Sequence, residues 1–200
     1  MSIGIIDYGM GNLKSVSNAL KFIGYNSFIS SDIKELAKAE KLILPGVGAF
    51  KDAVALIREK NIEAFIHKIH QEEVPLLGIC LGMQLLFDSS NEFGKHEGLS
   101  LLKGEIVKLD VDLKIPHMGW NKLEIKKEAP LFVGLPENSY VYFVHSYHLQ
   151  TAEDIVSATT YYGKEIQIAA QEKNTFALQF HPEKSGDVGL QILKNFASLL

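Results

Sequence analysis

Over the first half of the chain, short apolar runs alternate with segments whose apolar residues recur at intervals of three and four. Ile3 to Ile6 is a continuous apolar run suited to a buried strand. Asn12 then stands where a helix cap belongs. The apolar positions Leu13, Val16, Leu20 and Ile23 follow at helical spacing, and Gly24 supplies a stop. Strand signals recur at Ser27 to Ser30, Lys41 to Leu44 and Pro75 to Ile79. Between the last two, Phe50, Val54 and Ile57, then Ile62, Phe65, Ile66 and Ile69, mark amphipathic helices. Strands alternating with helices predict an α/β fold with an open, mostly parallel twisted sheet flanked by helices.

After Leu99 the texture changes. Segments rich in β-branched and aromatic residues at 105–109, 122–125, 140–145, 154–161, 166–170 and 176–180 predict additional, antiparallel strands in the second half. A last helix from about Asp187 places Val188, Ile192, Leu193 and Phe196 on one face. No repeat, low-complexity tract or linker divides the chain, so residues 1–200 are expected to form a single domain.

Composition narrows the function. Twenty Lys and Arg against 24 Asp and Glu, with no run of like charge, give a net charge of −4 and no footprint for nucleic acid or membrane. The N-terminal stretch meets Asp7 early and does not read as a secretory signal. The longest mainly apolar stretch, Val74 to Phe87, is too short for a bilayer and is interrupted by Pro75, Gly78 and Gly82. One cysteine cannot close an internal disulfide, which fits a reducing, cytoplasmic compartment and leaves Cys80 free to react.

That cysteine is flanked by Gly78 and Gly82. An apolar strand, Leu77-Gly78-Ile79, runs into it and a helical segment, Met83 to Phe87, follows. This is the sequence form of a nucleophile elbow, in which a strained turn lifts the side chain off the sheet and sets it at a helix N-terminus. The competing reading is a small buried hydrophobe; the two glycines and the strand-to-helix switch argue against it. A thiol nucleophile needs a base, and the base an orienting group. His181 ends the apolar strand 176–180 and is followed at the second position by Glu183; residues two apart in extended chain point the same way, and Pro182 restricts both neighbours. Acyl transfer also needs oxyanion donors, each typically worth on the order of 100- to 1,000-fold in rate. The Leu81 N–H and the Pro45-Gly46-Val47-Gly48 turn after the strand at Lys41 are the candidates.

With Pro45-Gly46-Val47-Gly48, Gly78-Ile79-Cys80-Leu81-Gly82-Met83-Gln84 and His181-Pro182-Glu183 in this order, the chain resembles the class I, triad-type glutamine amidotransferases. Asp7-Tyr8-Gly9-Met10-Gly11-Asn12, Pro116-His117-Met118-Gly119-Trp120-Asn121 and His145-Ser146-Tyr147-His148 resemble one subfamily, the glutaminase subunits of imidazole glycerol phosphate synthase. The resemblance implies a flavodoxin-like fold, Cys80, His181 and Glu183 as a catalytic triad, and no cofactor or metal. It further implies that Gly46, Val47, Gly48, Leu81, Gln84, Ser146 and Tyr147 bind glutamine or the oxyanion. The partner implied is a (β/α)8-barrel cyclase of histidine biosynthesis that receives ammonia through a channel, met by Asn12, Met118, Trp120, Asn121 and His145. A close alternative within the family is a sugar-amidating partner of surface-polysaccharide biosynthesis.

Other readings are weaker. Gly9-Met10-Gly11 lacks the third glycine of a dinucleotide fingerprint, because Lys14 stands there. His67 and His70 lie three apart on a helix but have no further strong metal ligand nearby in sequence. A cysteine hydrolase of another elbow-bearing family would not require His-Pro-Glu near the C-terminus, and a non-catalytic regulatory subunit would be expected to have lost part of the triad.

Overall fold

A computed structural model describes residues 2–199; Met1 and Leu200, the two ends of the expected domain, lie outside it. The first half runs β1 (Ile3–Ile6), α1 (Leu13–Phe22), β2 (Ser27–Ser30), α2 (Ile33–Leu36), β3 (Lys41–Gly46), α3 (Phe50–Glu59), α4 (Ile62–Gln71), β4 (Leu76–Cys80) and α5 (Leu81–Leu85). The second half adds β5 (Ser89–Ser90), β6 (His96–Glu97), β7 (Glu105–Lys108), β8 (His117–Lys122), β9 (Glu124–Ile125), β10 (Tyr140–His145), β11 (Tyr147–Gln150), β12 (Val156–Tyr161), β13 (Glu165–Glu172), β14 (Thr175–Leu178) and α6 (Gly186–Ala197).

The principal sheet is 12-stranded and mixed, with the order β2-β1-β3-β4-β14-β13-β11-β7-β5-β6 and a branch through β12 to β9. Its first five strands in that order are all parallel, in the doubly wound arrangement of flavodoxin-like folds. From β13 onward nearly every pairing is antiparallel, as the change of texture after Leu99 predicts. Strands β8 and β10 pair separately as a two-stranded sheet.

Alternation along the strands divides the core in two. Leu77, Ile79, Phe176 and Leu178 face α1 and α6, whose Val16, Leu20, Ile192 and Phe196 cover them; Leu76, Leu42, Leu44 and Ala177 face α3 and α4 through Val54, Ile57, Phe65 and Ile69. The result is a sheet covered on both faces, which leaves the strand ends as the place for a site.

Several boundaries differ from expectation for local reasons. Asn12 occupies the N-cap position of α1 but makes no side-chain cap bond. The expected strand at 122–125 is two strands: Leu123 leaves the ladder, its N–H donating to the Ser139 carbonyl, and the chain passes from β8 to β9 on the main sheet. β8 carries Gly119 at φ +125° and β11 follows β10 after one residue, so neither announced itself by a long β-branched run. The helix after Cys80 spans Leu81–Leu85, starting directly after the cysteine and two residues earlier than the expected Met83 to Phe87.

Candidate functional site

The ends of β3, β4 and β14 meet at the carboxyl edge of the parallel strands, where open α/β sheets bind ligands. Cys80 is the last residue of β4 and adopts φ 55°, ψ −112°, a backbone strained for any residue but glycine. The strain is enforced by packing. A Cβ on Gly82 would overlap the Leu44 carbonyl, and one on Gly78 would press on the Met83 backbone, so α5 closes against the sheet only with glycine on both sides of the nucleophile candidate. The sequence expectation of an elbow is met in this geometry.

His181 and Glu183 reach their relationship differently from the extended segment expected. β14 ends at Leu178, His181 caps a 3-10 turn over Pro182–Lys184, and the ring Nδ1 lies 2.8 Å from Glu183 Oε1. The turn is tied down on both sides. The His181 N–H donates to the Tyr142 carbonyl of β10, and the Ser185 hydroxyl donates to the His181 carbonyl while accepting the Tyr142 N–H. Both side chains are almost fully buried, at 2% and 1% exposure, and His181 Nε2 has no hydrogen-bond partner. Burial by itself pushes the His181 pKa down; the Cys80 sulfur and the Glu183 carboxylate outweigh it and raise it to about 9. An imidazole so placed is protonated at neutral pH and stands ready as an acid beside the sulfur.

Cys80 (8% exposed) and His181 open into a cavity of about 400 Å³ whose wall includes Val47, Gly48, Leu81, Gln84, Ser146 and Tyr147, all expected from sequence. Gly46 does not line it. That residue lies beneath, where a Cβ would strike the Tyr8 hydroxyl and the Gly82 N–H. Tyr8 was not expected at the site; its hydroxyl is buried without a partner, and burial with the nearby Cys80 sulfur pushes its pKa up. A larger groove of about 700 Å³, along Ile125, Ala129, Pro130 and Val133, contains Glu128 but no nucleophile or base.

Three further residues of the cavity were not among the expected site residues. Glu92 sits in the wall, one carboxylate oxygen accepting the Phe50 N–H at the start of α3 at 2.5 Å, which positions a negative charge suited to an ammonium group. Pro116, immediately before β8, and Val144 of β10 complete the wall. Glu92 lies in a polar stretch after β5 with no periodicity to single it out, and only the tertiary fold brings it across.

His145 was expected at a partner surface. It is instead buried in the cavity wall, within a chain of hydrogen bonds. Its Nδ1 lies 2.8 Å from the Tyr147 carbonyl, so that nitrogen carries the proton; Nε2 must then accept, and His117 Nδ1 donates to it at 3.0 Å. His117 is stacked between Phe143 and Tyr162, with ring centroids 4.7 and 3.9 Å away. Burial lowers its pKa to about 4, and burial lowers that of His145 to about 3 despite the Tyr147 carbonyl. Both rings are neutral in the folded protein at neutral pH.

The chain matches the glutamine amidotransferase class-I family over residues 4–199. It belongs to that family. The amidotransferase is 54% identical over 200 residues to the imidazole glycerol phosphate synthase subunit HisH of Caldanaerobacter subterraneus subsp. tengcongensis, covering 99% of this chain and 98% of that protein. The subunit of the same name from Bacillus cereus is 49% identical over 198 residues, covering 99% and 95%. A crystal structure of a glutamine amidotransferase shares the fold with a TM-score of 0.77 at 21% identity, covering 98% of each chain.

The remaining expected positions, Met118, Trp120, Asn121 and Asn12, do not line the amidotransferase cavity. Met118 and Trp120 point outward from β8, 62% and 55% exposed, with Tyr142 of β10 edge-on to Trp120 at 6.1 Å. Asn121 donates to the Tyr161 carbonyl and lies 3.4 Å from His117 Nε2. Asn12 follows the Asp7–Gly11 segment, which lies against the Pro45–Gly48 turn through Met10 and Gly11. His67 stands apart from the cavity, and His70 is hydrogen-bonded to Thr175 at 2.8 Å. Among the described residues no helix is long and apolar enough to cross a membrane.

Proposed function

We propose that this chain is a glutaminase that releases ammonia from the glutamine side chain and delivers it to a (β/α)8-barrel cyclase, which makes imidazole glycerol phosphate in histidine biosynthesis. The observation that carries the chemistry is the buried His181, bonded to Glu183 through one nitrogen while the other is unpartnered beside a strained Cys80. Relatives named as HisH subunits of imidazole glycerol phosphate synthase, about half identical over nearly the full length, support the pathway.

In this reading Cys80 attacks the carboxamide carbon as a thiolate. The developing oxyanion meets backbone donors from Leu81 and the Gly46–Gly48 turn. His181, protonated at neutral pH, gives its proton to the departing ammonia; the neutral ring then takes a proton from the water that attacks the thioester, and glutamate leaves. Glu183 holds the ring in orientation and stabilises its charge. Glu92 receives the substrate ammonium and Gln84 with Ser146 and Tyr147 frames the amino-acid end.

Ammonia released to neutral water would be protonated and lose its nucleophilicity, so its path to the acceptor must be shielded. Val144 lines the cavity and lies opposite Met118 in the β8–β10 register, which connects the reaction site to the exposed face bearing Met118, Trp120 and Tyr142. That face is the docking surface in this reading. A reducing cytoplasm is the compartment that suits a lone reactive thiol.

The test is glutamate release from glutamine by the purified chain, alone and with the cyclase and its ribotide ligand, against Cys80→Ala. Activity that rises with the loaded cyclase and disappears in the variant supports the reading. Full activity in Cys80→Ala sinks the chemistry, and stimulation only by a sugar-modifying partner sinks the pathway.

A further inference from the structure

Gln179 is fully buried, at 0% exposure, directly after β14 and two residues before His181. A primary amide in such a position is costly unless its polar atoms are paired. Its surroundings fix which way it points. The Tyr147 backbone carbonyl can only accept, so the Gln84 side-chain atom 3.1 Å from it is Nε2. That amide nitrogen also lies 2.9 Å from the Gln179 side chain, which must therefore present its oxygen. The Gln179 Nε2 is left facing the Cys80 sulfur, 3.9 Å away. Flipping either amide sets oxygen against oxygen or donor against donor, and no solvent reaches Gln179 to compensate.

Resting on the reading of Cys80 as the nucleophile, we propose that Gln179 is a positioning residue that donates an N–H to the Cys80 sulfur, its polarity set by the Tyr147 carbonyl through Gln84. The sulfur then has Gln179 as a donor, beside the unpartnered His181 Nε2. Its charged form gains more from a donor than its neutral form does, because hydrogen bonds to ionised groups are shorter and stronger. The Gln179 backbone is held as well, its N–H donating to the Ile168 carbonyl at 2.8 Å, so the donor is part of the sheet scaffold rather than a mobile side chain.

The test compares the full chain with Gln179→Met and Gln179→Glu, which preserve size, and with Cys80→Ala. The readouts are the rate of Cys80 alkylation by iodoacetamide at neutral pH, kcat and KM for glutamine with the cyclase present, and thermal unfolding. A donor to a charged group is worth about tenfold to a hundredfold, so alkylation and kcat are expected to fall by that factor with KM little changed. A merely structural role would give the opposite alkylation result, since a loosened core exposes the thiol and speeds its reaction. Should Gln179→Met fail to fold, Gln179→Glu, matched in shape, decides alone. Folded variants that alkylate as fast as the parent overturn the proposal while leaving the triad intact; glutaminase activity that persists in Cys80→Ala overturns the triad reading and this proposal together.

Discussion

His181 Nδ1 and Glu183 Oε1 lie 2.8 Å apart across a 3-10 turn that begins at Pro182, with both side chains closed off from solvent. The pair is one structural unit: the turn that shortens the path between them is itself bonded to β10 through Tyr142 and Ser185. Because the carboxylate can reach only Nδ1, the tautomer and ring orientation are set before substrate arrives.

Glu183→Gln keeps the shape and removes the charge. It is expected to lower kcat by about a hundredfold to ten-thousandfold, as neutralising the orienting acid of a triad does. It also removes one of the groups that raise the His181 pKa to about 9, so the alkaline limb of the rate profile moves to lower pH. The same shift has a stability sign. A histidine with a raised folded pKa stabilises fully below its ordinary value near 6.5 and loses that contribution as pH climbs through about 9. Denaturant unfolding from neutral to alkaline pH should therefore show a smaller decline in the variant.

The acid side is governed by His117 and His145, whose folded pKa values of about 4 and about 3 lie below their unfolded ones. Between those values and about 6.5 the unfolded chain binds more protons, so stability falls as pH drops through this window. His117→Phe preserves the stack on Phe143 and Tyr162 and removes one titrating group. Urea midpoints against pH should flatten in this variant. At neutral pH it is expected to lose about 1–3 kcal/mol, because His145 Nε2 loses its donor.

Two glycine substitutions should separate strain from space. Gly82→Ala drives a methyl into the Leu44 carbonyl, where backbone cannot give way, and is expected to cost more than the 1–3 kcal/mol usual for overpacking, about 4 or above, with loss of the Cys80 elbow. Gly24→Ala meets nothing within 4 Å but must hold φ +87°, so it should cost about 1 kcal/mol and leave the site intact. Thermal unfolding with glutamate release distinguishes them.

Trp120→Ala addresses the outward face of β8. A central exposed aromatic of this kind is worth about 2 kcal/mol or more in a protein interface, about thirtyfold in Kd. Titration of the cyclase is expected to show that weakening. Phe22→Ala, also apolar and exposed but at the far end of α1, should leave binding unchanged.

By itself the sequence determined the alternating β-α order, the glycine-flanked cysteine after an apolar strand, and the pairing of His181 with Glu183. Each of these is local: periodicity reports burial over a few residues, and a Pro or Gly restricts its own neighbours. Even there the tertiary structure corrected the geometry, replacing an extended His-Pro-Glu by a turn and moving His145 from the expected surface into the cavity wall. What only the fold decided is everything that depends on partners distant in the chain. Glu92 enters the cavity because α3 seats its carboxylate, Gln179 faces sulfur because a carbonyl from β11 orients Gln84, and His117 stays neutral at neutral pH because two rings distant in the chain, Phe143 and Tyr162, enclose it. Hydrogen-bond polarity and desolvation are properties of assembled surroundings, and no window of the sequence contains them.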